Sequence, residues 1–265
     1  MRTRKRFGQH FLEPVWADKV VAAIAPEPDD VFLEIGPGAG ILTLRLASRA
    51  SQIVAVEIDR DLIAGLTTKL PSNVSLVAGD VLDIDLNAAL PAGVTPIRIA
   101  GNLPYNISSP ILFRVLALES HRPIADATLM LQREVADRIT AKPGTAEFGV
   151  LSVLVQWRAE VRTLLTIPPG AFRPPPDVRS ALIRLAFKPS PFQLKDAALF
   201  ERMVRSMFTQ RRKTLANALG AFAAEAGTDP GRALAAAGID PRRRAETLEV
   251  IEIARLADTF AEANN

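Results

Sequence analysis

The period of apolar and polar positions changes along this chain, and each change marks an element. Between Val31 and Leu131, apolar runs of strand length alternate with stretches whose apolar residues recur at helical spacing. Strands are predicted from Val31 and over Ile53–Glu57, Ser75–Ala78, Ile97–Ala100 and Ala127–Leu131. Helices are predicted over Ile41–Ala50, Asp59–Leu70 and Ser109–Leu118, with another beginning near Arg133. Ahead of them Pro14 opens a helix to about Ala25, with Trp16, Val20, Val21 and Ile24 on one face, stopped by Pro26 and Pro28. Such alternation implies a doubly wound, Rossmann-like parallel α/β sheet with right-handed crossovers. Phe172-Arg-Pro-Pro-Pro-Asp-Val reads as a rigid extended loop, and strand Ser180–Phe187 closes the sheet. Lys188-Pro-Ser-Pro191 reads as a linker, after which the pattern is purely helical. Leu199, Phe200, Met203, Val204, Met207 and Phe208 form one apolar face, and Leu215, Leu219 and Phe222 suggest a second helix. Asp229-Pro230 and Gly238 bracket a third, and a last runs from about Leu248 to Phe260. The expected organisation is an α/β domain over 1–188 and a small C-terminal all-helical domain over 189–265.

In an open α/β sheet ligands sit at the carboxyl ends of the strands, beside the first. There the strand Val31–Ile35 runs into Gly36-Pro-Gly-Ala-Gly40. Glycines tolerate positive φ and let a ligand approach the backbone, although an ordinary strand-to-helix turn would use the same residue type. The spacing misses the dinucleotide fingerprint, whose third glycine would fall on Ile41. A G-x-G-x-G turn after a strand containing an acid, Glu34, is instead similar to S-adenosylmethionine (SAM) methyltransferases. The second strand ends in Glu57, placed to accept from ribose hydroxyls, with Ile58 and Asp59 following; a helix N-cap is the plainer reading and suits Asp59 better. Asp80 and Val81 follow the third strand, where an acid can accept from an adenine amine while valine packs on the ring, or can simply form a turn. The fourth strand ends in Asn102-Leu103-Pro104-Tyr105, the most specific signal present. An exocyclic amine such as adenine N6 is a poor nucleophile because its lone pair is delocalised into the ring. The Asn102 side-chain oxygen and the Leu103 carbonyl can hold its two N–H groups, steer the lone pair out of plane and stabilise the positive charge that develops. Tyr105 offers a ring on which the base stacks, and Pro104 stiffens the turn.

Composition narrows the chemistry further. The 265 residues contain no cysteine and two histidines, which excludes disulfides, thiol nucleophiles and cysteine metal clusters and predicts no metal site. A cysteine-free chain fits a reducing cytoplasm, and no apolar run approaches the roughly 18 residues of a membrane span. Net charge is +3, with basic clusters at Arg2, Arg4, Lys5 and Arg6, at Arg211-Arg212-Lys213 and at Arg242-Arg243-Arg244. They read either as solvated faces or as nucleic-acid contacts. A lone histidine such as His10 reads as an ordinary packed or surface residue, and Phe172 equally as core or as an aromatic against a base.

The runs RKRFGQHFL, LEIGPGAGILT, VEID, GNLPYNISSPIL, LQREVADRI, AFRPPPDVRSALIRL, FTQRRKTLANAL and RAETLEVIEIARLAD resemble, in order and over nearly the whole length, the KsgA/RsmA family of rRNA adenine dimethyltransferases. The resemblance implies SAM-dependent N6,N6-dimethylation of two adjacent adenosines near the 3′ end of small-subunit rRNA, acting on an immature 30S particle as a monomer. It implies cofactor contacts from His10, Leu12, Gly36, Gly38, Glu57, Asp80 and Asn102, with Ile58 and Val81 flanking the cofactor's adenine. The target base is expected to meet Asn102, Leu103, Pro104, Tyr105 and Phe172. Position 10 is often asparagine in such enzymes. The rivals are the large-subunit rRNA methylase of the macrolide-resistance type, which shares the catalytic half, and a non-catalytic ribosome-assembly factor that keeps the fold to bind RNA.

Overall fold

The computed structural model describes residues 9–93, 96–189 and 192–263, so the first basic cluster, Arg2 to Arg6, and Phe7 lie outside the described residues. The chain forms two compact units. The first comprises the chain up to Ala136 together with Glu160–Phe187, and the second comprises Asp137–Ala159 and the chain from Lys188 onward.

The first unit is built on strands β2 (Val31–Ile35), β3 (Gln52–Glu57), β4 (Val74–Ala78), β5 (Ile97–Asn102), β6 (Ile124–Gln132), β7 (Ala159–Ile167) and β9 (Ser180–Phe187). Their order in the sheet is β4-β3-β2-β5-β6-β9-β7. All five residues of β2 are buried, as are five of the six in β5, which is the burial of strands covered on both faces. Helices α1 (Pro14–Ile24), α2 (Thr43–Ala47), α3 (Arg60–Thr67), α4 (Leu86–Ala89) and α5 (Ser108–Glu119) accompany the sheet. Strands β2 through β6 run parallel, and the order reverses between β2 and β5. The expected parallel sheet is modified at one place: β9 pairs antiparallel with β6, from Gln132↔Ser180 to Asp126↔Ala186. A two-stranded ribbon, β1 (Phe11–Leu12) with β8 (Phe172–Arg173), joins the amino-terminal segment to the proline-rich loop.

At the amino ends of the strands lies a buried charge cluster. The Arg98 guanidinium on β5 donates to both oxygens of Asp126 (3.1 and 2.8 Å), to Asp30 (2.6 Å) and to the carbonyls of Ile24 and Ala25 (2.7 and 3.0 Å). Arg184 donates to the carbonyls of Ala23 and Ile24. The two arginines thus satisfy carbonyls that the end of α1 leaves without intrahelical partners, and their charge complements the negative end of the helix dipole.

The second unit contains α7 (Val150–Arg158), α8 (Ala197–Thr209), α9 (Leu215–Ala218), α10 (Gly220–Glu225), α11 (Pro230–Ala236) and α12 (Val250–Ala263), while α6 (Arg133–Thr140) spans the change of unit at Ala136. The sequence pattern places a single boundary between 188 and 189; in the structure Asp137–Ala159 also groups with the helical segment. The reason is aromatic packing: Trp157 of α7 meets Phe192 and Phe200 at 5.3 and 5.6 Å, and Phe148 meets Phe208 at 6.2 Å. The helix expected around Leu215, Leu219 and Phe222 is two short helices, with Leu219 between them. Among the described residues no helix is long and apolar enough to cross a membrane.

Candidate functional site

A cavity of about 300 Å³ opens at the carboxyl ends of β2, β3, β4 and β5, where the strand order reverses. It lies within the first unit. Its floor is the glycine turn after β2. Gly38 has φ of +59°, its N–H donates to Glu57 Oε2 at 3.0 Å, and a Cβ there would press on the Phe11 ring at 3.2 Å. Gly40 has φ of +84°, and a Cβ there would overlap the Leu66 side chain. Both positions therefore demand glycine. Gly36 also borders the cavity, its N–H donating to the Val56 carbonyl.

Glu57 ends β3 with its carboxylate buried. Oε1 accepts from the N–H groups of Ile58 (3.0 Å) and Asp59 (2.9 Å), in addition to the bond from Gly38 to Oε2. A carboxylate has about four acceptor positions, so one remains for a ligand. Asp59 N-caps α3 with one oxygen and accepts from Gln9 with the other. Ile58, 45% exposed, and the buried Val81 both border the cavity. Asp80 serves its turn, one oxygen accepting from the Leu82 N–H, and lines the cavity as well, so its two readings coexist.

Glu34 is the site's unexpected member. It sits fully buried within β2, borders the cavity, and its Oε2 has no hydrogen-bond partner. Burial pushes its carboxyl up to about 7, Thr43 opposing and the nearby Glu57 charge adding to the rise. The folded state therefore holds this proton more tightly than the unfolded chain does. Glu34's contribution to stability is intact below about pH 4.5 and is lost as pH rises through about 7. Relative to wild type, Glu34→Gln is expected to gain melting temperature progressively between pH 5 and pH 8. A constant difference across that range would show that Glu34 does not titrate there. The legible signal for Glu34 was an acid inside an otherwise apolar strand; Gln9 carried none.

The Asn102–Tyr105 turn follows β5. Asn102 Nδ2 donates to the His10 backbone carbonyl at 2.9 Å, which fixes the amide because a carbonyl can only accept. Oδ1 is left without a protein donor among the described residues. The Leu103 N–H donates to Met130, and Pro104 borders the cavity. The Tyr105 hydroxyl meets Ser180 Oγ at 2.5 Å, and burial raises its pKa. His10 Nδ1 donates to the Pro174 carbonyl at 2.8 Å, and its ring stacks on Tyr105 with centroids 5.5 Å apart. His10 and Leu12 thus join the cavity wall through the ribbon that pairs β1 with β8. Phe172 does not: its ring is fully buried in the core with Leu12 and Leu182, and it does not line the cavity. The structure thus does not bring it together with the other expected site residues; in that ribbon Leu12 pairs with Phe172.

These residues fit SAM. The ligand carries an ammonium and a sulfonium, and the cavity offers the carboxyl groups of Glu34, Glu57 and Asp80, one of them with a buried oxygen lacking a partner. The glycine turn leaves backbone exposed to it, and Ile58 and Val81 supply apolar surface for an adenine. Among the described residues no group of His, Cys, Asp or Glu could hold a metal ion.

The family profile "Ribosomal RNA adenine dimethylase" matches residues 1–262. The chain is 44% identical over 259 residues to "Ribosomal RNA small subunit methyltransferase A" of Xylella fastidiosa strain 9a5c, covering 96% of this chain and 95% of that protein. It is 46% identical to the protein of that name from Xanthomonas euvesicatoria pv. vesicatoria, with the same coverage. Among solved structures, a dimethyladenosine transferase from Plasmodium falciparum superposes with a TM-score of 0.79 at 26% identity, over 96% of this chain and 98% of that one. The 23S rRNA methyltransferase ErmE superposes with a TM-score of 0.68 at 27% identity, over 95% and 99%.

Proposed function

The chain belongs to the ribosomal RNA adenine dimethylase family, and from that premise we propose how its residues carry the reaction and on what particle they act. The enzyme is a SAM-dependent adenine dimethyltransferase of small-subunit rRNA. Its substrate in this reading is an immature 30S particle in the cytoplasm, methylated at N6 of two adjacent adenosines near the 3′ end of 16S rRNA. The observation that carries the site assignment is the Asn102 amide: its N–H is committed to His10, and its oxygen is left as an acceptor on the cavity wall.

When bound, SAM supplies an electrophilic methyl group on a sulfonium. The chain's part is to hold, orient and polarise. Glu57 keeps the glycine turn in place through Gly38 and has one acceptor position left for a ribose hydroxyl. Asp80 would hold the cofactor's adenine amine, and Ile58 and Val81 would offer its ring apolar surface. Asn102 Oδ1 and the Leu103 carbonyl take the two N–H groups of the target amine, turn its lone pair out of the ring plane and stabilise the charge that grows on nitrogen. Tyr105 supports the flipped base. No acid–base pair is needed: orientation and electrostatics supply the rate, and the methylated nitrogen, made acidic by its new positive charge, releases its proton to water.

The reading is tested by incubating the protein with labelled SAM and separately purified, unmethylated 30S and 50S particles and mapping the labelled nucleotides. Label on adjacent adenosines of the 30S RNA is expected. Label confined to 50S particles would instead support the large-subunit reading.

RNA affinity is assigned to the helical unit, with one refinement from the structure. Arg211 donates to the carbonyls of Ala146 and Phe148, Arg242 pairs with Asp240, and Arg243 pairs bidentately with Glu252. Backbone bonds from Leu215 to Arg243 and from Ala216 to Pro241 bring the two basic loops together. Arg212, Lys213 and Arg244 remain exposed, their side chains without a protein partner among the described residues. Replacing these three by alanine is expected to leave folding and SAM affinity intact. Each lost phosphate contact should flatten the slope of log K against log[salt] for 30S binding by roughly 0.7–0.9. An unchanged slope would return the cluster to a solvated face.

A further inference from the structure

Tyr105 occupies a three-residue 3-10 turn, Tyr105–Ile107, that has no side-chain cap. Two contacts from segments distant in sequence hold its ring. The His10 imidazole, tied through Nδ1 to the Pro174 carbonyl, lies along the ring with 25° between planes. At the far end of the ring the phenol hydroxyl meets Ser180 Oγ at 2.5 Å. Ser180 is the first residue of β9, is 0% exposed, and is held in register opposite Gln132 at the end of β6. Its hydroxyl is therefore a fixed point. The proline-rich segment between Pro174 and Ser180 thus carries one anchor at each of its ends, one acting on the ring through His10 and one on the hydroxyl directly.

We propose that Ser180 is a positioning residue of the methyl-transfer reaction: its hydrogen bond to the Tyr105 hydroxyl pins the far end of the ring on which the target base stacks, while the His10 contact sets the plane of that ring. The proposal rests on the reading of Tyr105 as that platform. Two torsions orient a tyrosine ring; the hydroxyl oxygen lies on the axis of the second, so its hydrogen bond fixes the first and with it where the ring lies, and the stacking contact with His10 restrains the second. A base held a fraction of an ångström out of line loses rate rather than cofactor affinity.

The chain has one tyrosine, so labelling tyrosine ring carbons with ¹³C gives a ring signal from Tyr105 alone. The test uses the full-length protein as wild type, Ser180→Ala, Tyr105→Phe, the double variant and Tyr105→Ala. Read out are the ring signal, SAM affinity by calorimetry, and kcat and KM on unmethylated 30S particles. Ser180→Ala is expected to shift the ring signal. It should lower kcat about tenfold while KM for the particle and SAM affinity stay within about twofold. Tyr105→Phe, which removes the same bond while keeping the ring, should match it, and the double variant should be no slower than either single one. An unmoved ring signal in Ser180→Ala, full turnover in Tyr105→Phe, or losses that multiply in the double variant would each overturn the proposal. Should Ser180→Ala fail to fold, the turnover of Tyr105→Phe decides alone. Full turnover in Tyr105→Ala sinks the platform reading itself, and is distinguishable because it removes the ring and not merely its tether.

Discussion

Asn102→Ala is expected to slow methyl transfer by about 10²–10³-fold, the loss typical of deleting one preorganised polar group aimed at a developing charge. With Nδ2 donating to His10, Oδ1 is presented without rotational freedom, so it costs no reorganisation when the target amine becomes cationic. Alanine removes the acceptor and also leaves the His10 carbonyl without its donor, which loosens the ribbon that carries His10 and Leu12. SAM affinity should therefore fall as well, though far less than the rate. Asn102→Asp provides the second half of the test: it keeps an acceptor but has no N–H for His10, so it should bind SAM poorly and remain slow. Single-turnover transfer to unmethylated 30S particles, with SAM binding measured by calorimetry, separates the two effects. Turnover of Asn102→Ala within threefold of wild type would remove Asn102 from the chemistry.

The second large effect concerns stability. Arg98→Ala is expected to destabilise the first unit by about 3–5 kcal/mol, the range for breaking a buried pair by deleting one partner. Arg98 is buried together with Asp126, and the cluster is completed by Asp30 and by the final carbonyls of α1. Without the guanidinium, Asp126 keeps only the longer contact to Arg184 at 3.4 Å, and the carbonyls of Ile24 and Ala25 lose a donor. The Phe32 ring, over which the guanidinium lies at 5.1 Å, would line the resulting void. Because the chain has two units, a single unfolding midpoint would mix them. Trp16 on α1 and Trp157 on α7 belong to different units, so in a Trp157→Phe background urea unfolding followed by tryptophan fluorescence reports the unit that contains Arg98. A loss below about 1 kcal/mol would mean that the cluster relaxes or hydrates at little cost.

Much of the cavity was legible because its parts lie at strand ends that announce themselves locally. Gly36 to Gly40, Glu57, Asp80 and Asn102 each directly follow or end an apolar run, and the α/β rule then places all four at one end of a sheet. Glu34 was visible as an acid in an apolar strand, but its raised pKa depends on complete burial, which the strand's own pattern does not report. Phe172 is a residue for which the local pattern leaves the choice open. An aromatic before three prolines suits a base sandwich and a core position equally, and pairing with β1 sends its ring into the core.

What the amino-acid sequence determined by itself is what depends on near neighbours. Period and apolarity define most strands and helices, positive φ selects glycine in the turn after β2, and the Asn-Leu-Pro-Tyr turn sets two acceptors and a ring within four residues. What only the tertiary structure decided is which distant segments meet. The antiparallel entry of β9, the grouping of α7 with the helical unit, and the retention of Arg211 for internal carbonyls are outcomes of this kind. The meeting of Tyr105 with Ser180, 75 residues away, is another. The physical reason is that the local pattern records which positions are apolar and at what period. A side chain's partner is selected by the summed packing of whole elements, to which no single residue's neighbours in sequence bear witness.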